Sequence, residues 1–314
     1  FSPIPSHTME RFLATPELRY TVFTFLESSD LINCAQALGM RDLMGQLAPM
    51  EEEEGWDYDD DCIVFNRLQA SVEDFDQQRW QAFLELTAKI HILCLSIFLL
   101  HPDSVELVKG LLAAYGGPLF PNLRRFEIWS DAKYPPMISW GLVPGLTSVK
   151  MNGLDFSSSE GDGFDVIFPQ VAKSCDGIRE LEIATECAEA GPIFSVFPKL
   201  RSLSYWLGKF SAESWSSLAR CRDLAELELL LVSLGGVTES SLEADLEFAS
   251  LKELRICRME KKAALVLLNG TKMPLLRSLR LENIEFTEEE KKELDDRLKA
   301  RCPDLKPIDF VVKA

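Results

Sequence analysis

Apolar and polar residues alternate in a short pattern that recurs along most of the chain. The segment "LRRFEI", Leu123–Ile128, is apolar at its first, fourth and sixth places. So are "LTSVKM" from Leu146, "IRELEI" from Ile178, "LRSLSY" from Leu200, "LAELEL" from Leu224, "LKELRI" from Leu251 and "LRSLRL" from Leu276. Two weaker copies, "IHILCL" from Ile90 and "LKPIDF" from Leu305, flank these seven. Successive copies start 33, 23, 32, 22, 24, 27, 25 and 29 residues apart. A single Leu-x-x-Leu is uninformative, because any amphipathic helix supplies one. Nine at this spacing mark a structural repeat. The alternation makes each copy a short strand with its apolar side turned inward.

A second register supports the first. Three residues before each start, from the second copy on, stand Phe120, Val143, Cys175, Phe197, Cys221, Phe248, Met273 and Cys302, all apolar. This gives Cys175, Cys221 and Cys302 a role as small buried hydrophobes. Between copies lie helical patterns. Ser104, Val108, Leu111, Leu112 and Tyr115 share one helical face, with Gly116–Gly117 as the stop. "TEEEKKELDDRLKAR" opens on a Thr287…Glu290 capping box and carries Leu294 and Leu298 on one face. Strand then helix, repeated, stacks into a curved α/β solenoid with a parallel sheet on its concave side. The repeats resemble the leucine-rich-repeat family. They are irregular, since the Asn or Cys of the common ninth place is absent at Asp131, Leu154 and Val232.

The region ahead of the repeats has another character. Leu13 to about Leu47 reads as short helices. "EEEEGWDYDDD", Glu51–Asp61, reads as a solvated, mobile connector. "SVEDFDQQRWQAFLELTA" reads as a helix over 71–88, capped by Ser71, with Trp80, Phe83, Leu84 and Ala88 on the face that covers the open end of the stack. The expected division is a helical module over 1–48, an acidic linker over 49–62, and a repeat domain over 63–314. Within the first module, Pro16, Glu17 and Leu18, the apolar Val22, Phe23 and Leu26, and then Asp30 and Leu31 fit the pattern of an F-box. Together with repeats behind it, the chain resembles the F-box proteins with leucine-rich repeats, especially divergent fungal ones. "QALGMRDL", Gln36–Leu43, departs from the pattern, with no basic residue or Trp at the places where the third helix of an F-box has them. The resemblance implies that these eight residues dock a Skp-type adaptor of a cullin-type (SCF) ubiquitin ligase. The repeats would then bind a target protein. The alternative is a repeat scaffold unconnected with ubiquitin.

Composition narrows this further. The chain has 314 residues and a net charge of −17, which disfavours nucleic acid and anionic membranes as partners. No apolar run is long enough to span a bilayer; "IHILCLSIFLL", Ile90–Leu100, is the longest. The eight cysteines form no Cys-x-x-Cys pair, and small buried thiols fit a reducing compartment, the cytoplasm or nucleus. His7, His91 and His101 are the only histidines, and no nucleophile–base, phosphate-loop or dinucleotide motif is present. The expectation is a chain without catalysis, metal or cofactor.

If the first, fourth and sixth places point inward, the third, fifth and seventh share the concave surface. The middle repeats put Glu180, Glu182, Glu226, Glu228 and Glu253 there, opposed mainly by Arg255. The seventh places give Trp129, Ala184, Trp206, Leu230 and Cys257, with Trp206 beside Leu230 and Trp129 about three strands away. An acidic centre beside tryptophan suits a basic, partly apolar target segment.

Overall fold

The structure, a computed structural model, describes residues 44–45, 47–56, 62–96, 101–129, 138–152, 171–184, 194, 196–206, 209–234 and 246–312. Strand β1 (Met50–Trp56) pairs antiparallel with β2 (Cys62–Leu68). Nine further strands form one parallel sheet: β3 (Ile92–Ser96), β4 (Arg125–Trp129), β5 (Ser148–Asn152), β6 (Glu180–Ala184), β7 (Ser202–Trp206), β9 (Glu226–Leu230), β11 (Glu253–Cys257), β12 (Ser278–Glu282) and β13 (Asp309–Val311). The short β8 (Lys209–Phe210) and β10 (Ser233–Leu234) pair parallel with each other. Each copy of the sequence pattern supplies one strand of the large sheet, in chain order, through its third to seventh places, except the last, whose β13 covers only the fifth to seventh.

The register is uniform. Phe126, Val149, Leu181, Leu203, Leu227, Leu254 and Leu279 stand side by side at the fourth place. The first-place residues Leu123, Leu146, Ile178, Leu200, Leu224, Leu251, Leu276 and Leu305 are all buried, as are all eight residues three places before them. In every one of these repeats the first-place N–H donates to the carbonyl of the residue three before it. That turn brings the chain back to the sheet and puts Cys175, Cys221 and Cys302 into the core. A fully buried Leu contributes about 1.5–3 kcal/mol, and each column residue packs mainly on its neighbours in adjacent repeats, so stability accumulates repeat by repeat. From His91 to Lys252 one second-place carbonyl accepts from both the second- and third-place N–H groups of the next repeat, and at the end the Arg277 carbonyl accepts from Lys306 alone, because Pro307 has no N–H.

The strands end in a common way toward the C-terminus. The eighth-place residues Leu231, Arg258 and Asn283 have φ of 54°, 53° and 54°, a left-handed turn unusual for a side-chain-bearing residue. Their N–H groups donate across to Cys257, Glu282 and Val311. The ninth places that follow, Val232, Met259 and Ile284, are buried. Apolar packing thus replaces the polar ninth-place ladder of common repeats.

Helices fill the connections: α1 (Gln77–Thr87), α2 (Pro102–Tyr115), α3 (Ile138–Gly141), α4 (Ala212–Ala219), α5 (Lys261–Gly270) and α6 (Glu288–Arg301). Helix α2 ends at Gly116 and Gly117, with φ of 73° and 91°, and its start is set by His101, whose ring accepts from the Asp103 N–H. Helix α6 carries the full Thr287–Glu290 capping box and buries Leu294 and Leu298.

Two expectations are corrected. The acidic stretch does not begin as a connector: Met50–Trp56 is a strand, and its backbone is paired residue by residue with Leu68–Cys62. At the end of that ladder the Leu68 N–H donates to the Ser104 hydroxyl on α2 at 2.7 Å. The cap helix starts later than Ser71. The box of Ser71 and Asp74 closes a single 3-10 turn, Phe75 is extended and buried, and Asp76 caps α1 by accepting from the Arg79 N–H. Tyr115 donates to the Phe75 carbonyl at 2.7 Å, holding that break in place. Trp80 and Phe83 are buried, and Leu84 packs against the same core. Of residues 1–48, those carrying the F-box pattern lie outside the described residues.

Candidate protein-interaction surface

Burial of the fourth and sixth places turns the third, fifth and seventh to the polar face of the sheet. Three rows of side chains therefore cross the strands, about 4.8 Å from strand to strand.

The fifth-place row is a ladder of opposite charges. Lys150 meets Glu182 at 2.5 Å. Ser204 donates to Glu228 at 2.8 Å, and Arg255 reaches the other Glu228 oxygen at 2.5 Å. Arg255 also forks onto Glu282 with two bonds of 3.0 Å. Arg280 pairs with Glu282 and lies 3.5 Å from Asp309. At the other end Arg125 donates to the buried Glu127 at 2.5 Å. The Arg255 bonds, with the nearby Arg280 charge, hold the Glu282 carboxyl below its usual range against the opposing effect of burial. Glu282 in return raises the Arg255 guanidinium above its usual value.

This ladder changes the acidic centre expected from sequence. Glu182 and Glu228 are not free: Lys150 holds the first, and Arg255 with Ser204 holds the second. Arg255 is committed to two carboxylates at once. Lys150 and Glu282 were legible as fifth and seventh places of their repeats, but only the register shows which acid each one meets. The third-place glutamates differ. Glu180, Glu226 and Glu253 are exposed, with Ser202 between the first two, and none has an ion pair among the described residues.

The seventh-place row runs Trp129, Asn152, Ala184, Trp206, Leu230, Cys257, Glu282 and Val311. Trp206 and Leu230 are direct neighbours and half-buried. The Trp206 indole donates to the Ser204 hydroxyl at 2.7 Å, which fixes the ring against the ladder. Trp129 stands three strands away, with Asn152 and Ala184 between. Asn152 is buried, and its Oδ1 has no hydrogen-bond partner among the described residues. Cys257 is buried as well, so it adds no apolar surface, and burial with the adjacent Glu282 charge raises its thiol above the usual value.

Cys175, Cys221, Cys257 and Cys302 are free and buried. Burial pushes Cys175 to about 12 and Cys221 to about 11. The Cys221 and Cys302 thiols donate to the carbonyls of Phe194 and Met273 at 3.4 and 3.1 Å. Among the described residues no group of three or more His, Cys, Asp and Glu is placed to hold a metal ion, and no helix is long and apolar enough to cross a membrane.

No protein-family model matches the chain, and no curated protein matches it. Among solved structures it is similar to an internalin (InlF) of Listeria monocytogenes, with 15% identity over 74% of this chain and a TM-score of 0.40. InlP of the same bacterium is similar at 13% identity over 72% of this chain, with a TM-score of 0.34. The chain spans 64% and 66% of the lengths of those two proteins.

Proposed function

We propose that the chain is a non-catalytic protein-interaction solenoid that holds a partner segment across the polar face of its sheet. One observation carries this reading. The half-buried Trp206–Leu230 step lies on a face whose third-place glutamates, Glu180, Glu226 and Glu253, have no ion pair among the described residues, while the fifth-place Lys150 pairs with Glu182 and Arg255 with Glu228. A rigid aromatic and a leucine provide the desolvated contact, and the free carboxylates select a basic flank. The test compares Trp206→Ala, and Glu226→Lys with Glu253→Lys, against Lys262→Glu on α5, each used to capture partners from lysate and then to rebind them in purified form. Loss confined to the polar-face variants supports the proposal. Equal capture by all variants rejects it.

A finer reading rests on sequence alone. The pattern Pro16, Glu17, Leu18, Val22, Phe23, Leu26, Asp30 and Leu31 supports docking to a Skp-type adaptor, which would make the chain the target-recognition subunit of a cullin-type ubiquitin ligase. In that role it supplies effective concentration of the target near the ubiquitin-charged enzyme. Wild-type chain should then bind purified adaptor at micromolar concentration, and Leu18→Asp with Phe23→Asp should abolish binding. Absence of wild-type binding leaves the interaction solenoid standing and removes the ligase.

A further inference from the structure

A fourth row of side chains crosses the sheet one residue before its strands begin. From β4 to β13 the second places hold Arg124, Thr147, Arg179, Arg201, Ala225, Lys252, Arg277 and Lys306. Six of these eight are cations and none is an acid, in a chain with 33 Lys and Arg against 50 Asp and Glu. The shared carbonyl ladder fixes their backbones at neighbouring steps, so like charges stand side by side. Such a row is self-repelling, yet Arg179, Arg201, Lys252, Arg277 and Lys306 are exposed and have no ion pair among the described residues. Arg124 only reaches the Gly145 carbonyl, at 2.9 Å.

The row also has shape. Where Ala225 interrupts the cations, a groove of about 660 Å³ opens between Arg179 and Arg201 on one side and Lys252 on the other. Among the described residues, Lys199 adds a fourth cation to its wall and Asp223 its single acid. Lys199 leans toward Asp176 at 3.3 Å. Leu275, 43% exposed, gives the groove an apolar margin beside Ala225.

We infer that this edge is a docking site for an extended, acidic polypeptide segment carrying one apolar side chain over Ala225 and Leu275. Arg179 to Lys306 spans five strand steps, about 24 Å, which an extended chain covers in about seven residues. Carboxylates along the segment meet the cations, and arginine accepts them in bidentate form. Nucleic acid fits less well. Glu180 and Glu253 directly follow Arg179 and Lys252 in the chain, and Glu226 follows Ala225. A duplex with one charge per about 1.7 Å would be laid over those glutamates, whereas a peptide can place its charges between them.

The site is separate from the Trp206–Leu230 step, and its test is independent of that reading. A fluorescein-labelled nonapeptide of glutamates with a central leucine is titrated with the full chain at low ionic strength, followed by anisotropy. The expected result is saturable binding, at least about tenfold weaker in Arg201→Glu with Lys252→Glu and weakened by salt. Trp206→Ala and Lys262→Glu should bind the peptide as wild type does. Circular dichroism confirms that each variant is folded; Arg201, Lys252 and Lys262 are exposed and Trp206 is half-buried. No peptide binding by wild type, or equal binding by the charge-reversed variant, overturns the inference. Binding of a 12-base-pair duplex in preference to the peptide overturns it as well, by making the partner a nucleic acid.

Discussion

Replacing Arg255 with methionine should destabilise the C-terminal repeats in a way that depends on acid. The change keeps most of the aliphatic stem and removes three charge-assisted bonds, one to Glu228 and two to Glu282. Such bonds are worth about 1.5–3 kcal/mol each, and stripping one partner from a buried pair costs about 3–5 kcal/mol. Two features lower the sum. Arg255 is 42% exposed, so solvent already screens its charge, and Arg280 stays beside Glu282. Glu282 itself is only 2% exposed, so its desolvation remains to be offset. The balance is a loss of about 2 kcal/mol at neutral pH. The pH dependence follows from the lowered carboxyl of Glu282. A folded-state pKa below the unfolded value of 4.5 gives stability that is complete above 4.5 and is lost as pH falls through the folded value. Wild type loses this contribution in acid, and the variant has less of it to lose. Urea unfolding, with hydrogen exchange on β11 and β12 as a local readout, should show a gap that is widest at pH 7 and narrows as pH falls below 4.5. A gap under about 0.5 kcal/mol at pH 7 would mean that these bonds do not hold the C-terminal repeats. So would a gap of unchanged size in acid.

Two further outcomes follow from the packing. A Cβ at Gly141 would stand 2.7 Å from the Phe126 ring, in the first strong repeat, so Gly141→Ala should cost about 1–3 kcal/mol by overpacking, read as a lower thermal midpoint. The thiols of Cys175 and Cys221, raised to about 12 and about 11 from 9.0, contribute stability that is complete below pH 9 and is lost as pH rises toward those values. Each buried thiol then adds a loss of about 1.4 kcal/mol per pH unit in that window. Cys221→Ala should flatten the alkaline decline in urea midpoints between pH 9 and pH 11.

What was legible in the sequence depended on repetition. Each Leu-x-x-Leu-x-Leu copy is ambiguous alone, but the column from Leu123 to Leu305 can be buried only if every copy is a strand in the same register. The buried residues three places earlier were readable for the same reason. The Thr287–Glu290 box and the Gly116–Gly117 stop were readable because they act on their own backbone. Features set by a distant partner were not. Glu51–Glu54 have poor strand propensity, and only pairing with the Cys62–Leu68 strand makes them one. Ser71 looked like the start of a helix because its box is real, yet burial of Phe75 breaks the chain before α1 begins. On the polar face the residue types were correctly placed by row. Their state was not, because whether Glu182 is free depends on Lys150 one strand away.

A partner seated on the polar face of the sheet would be within reach of site-specific photo-crosslinking. A benzophenone amino acid is placed at Leu230, beside Trp206, and in a second protein at Lys292, on the exposed side of α6. Each is irradiated in lysate with its partners present, and the adducts are identified by mass spectrometry. The Leu230 probe should give a discrete adduct that disappears in the Trp206→Ala background, while the Lys292 probe gives none of the same mass. An adduct with the same protein from Lys292 alone, or a Leu230 adduct indifferent to Trp206, would place recognition on another surface and contradict the claim.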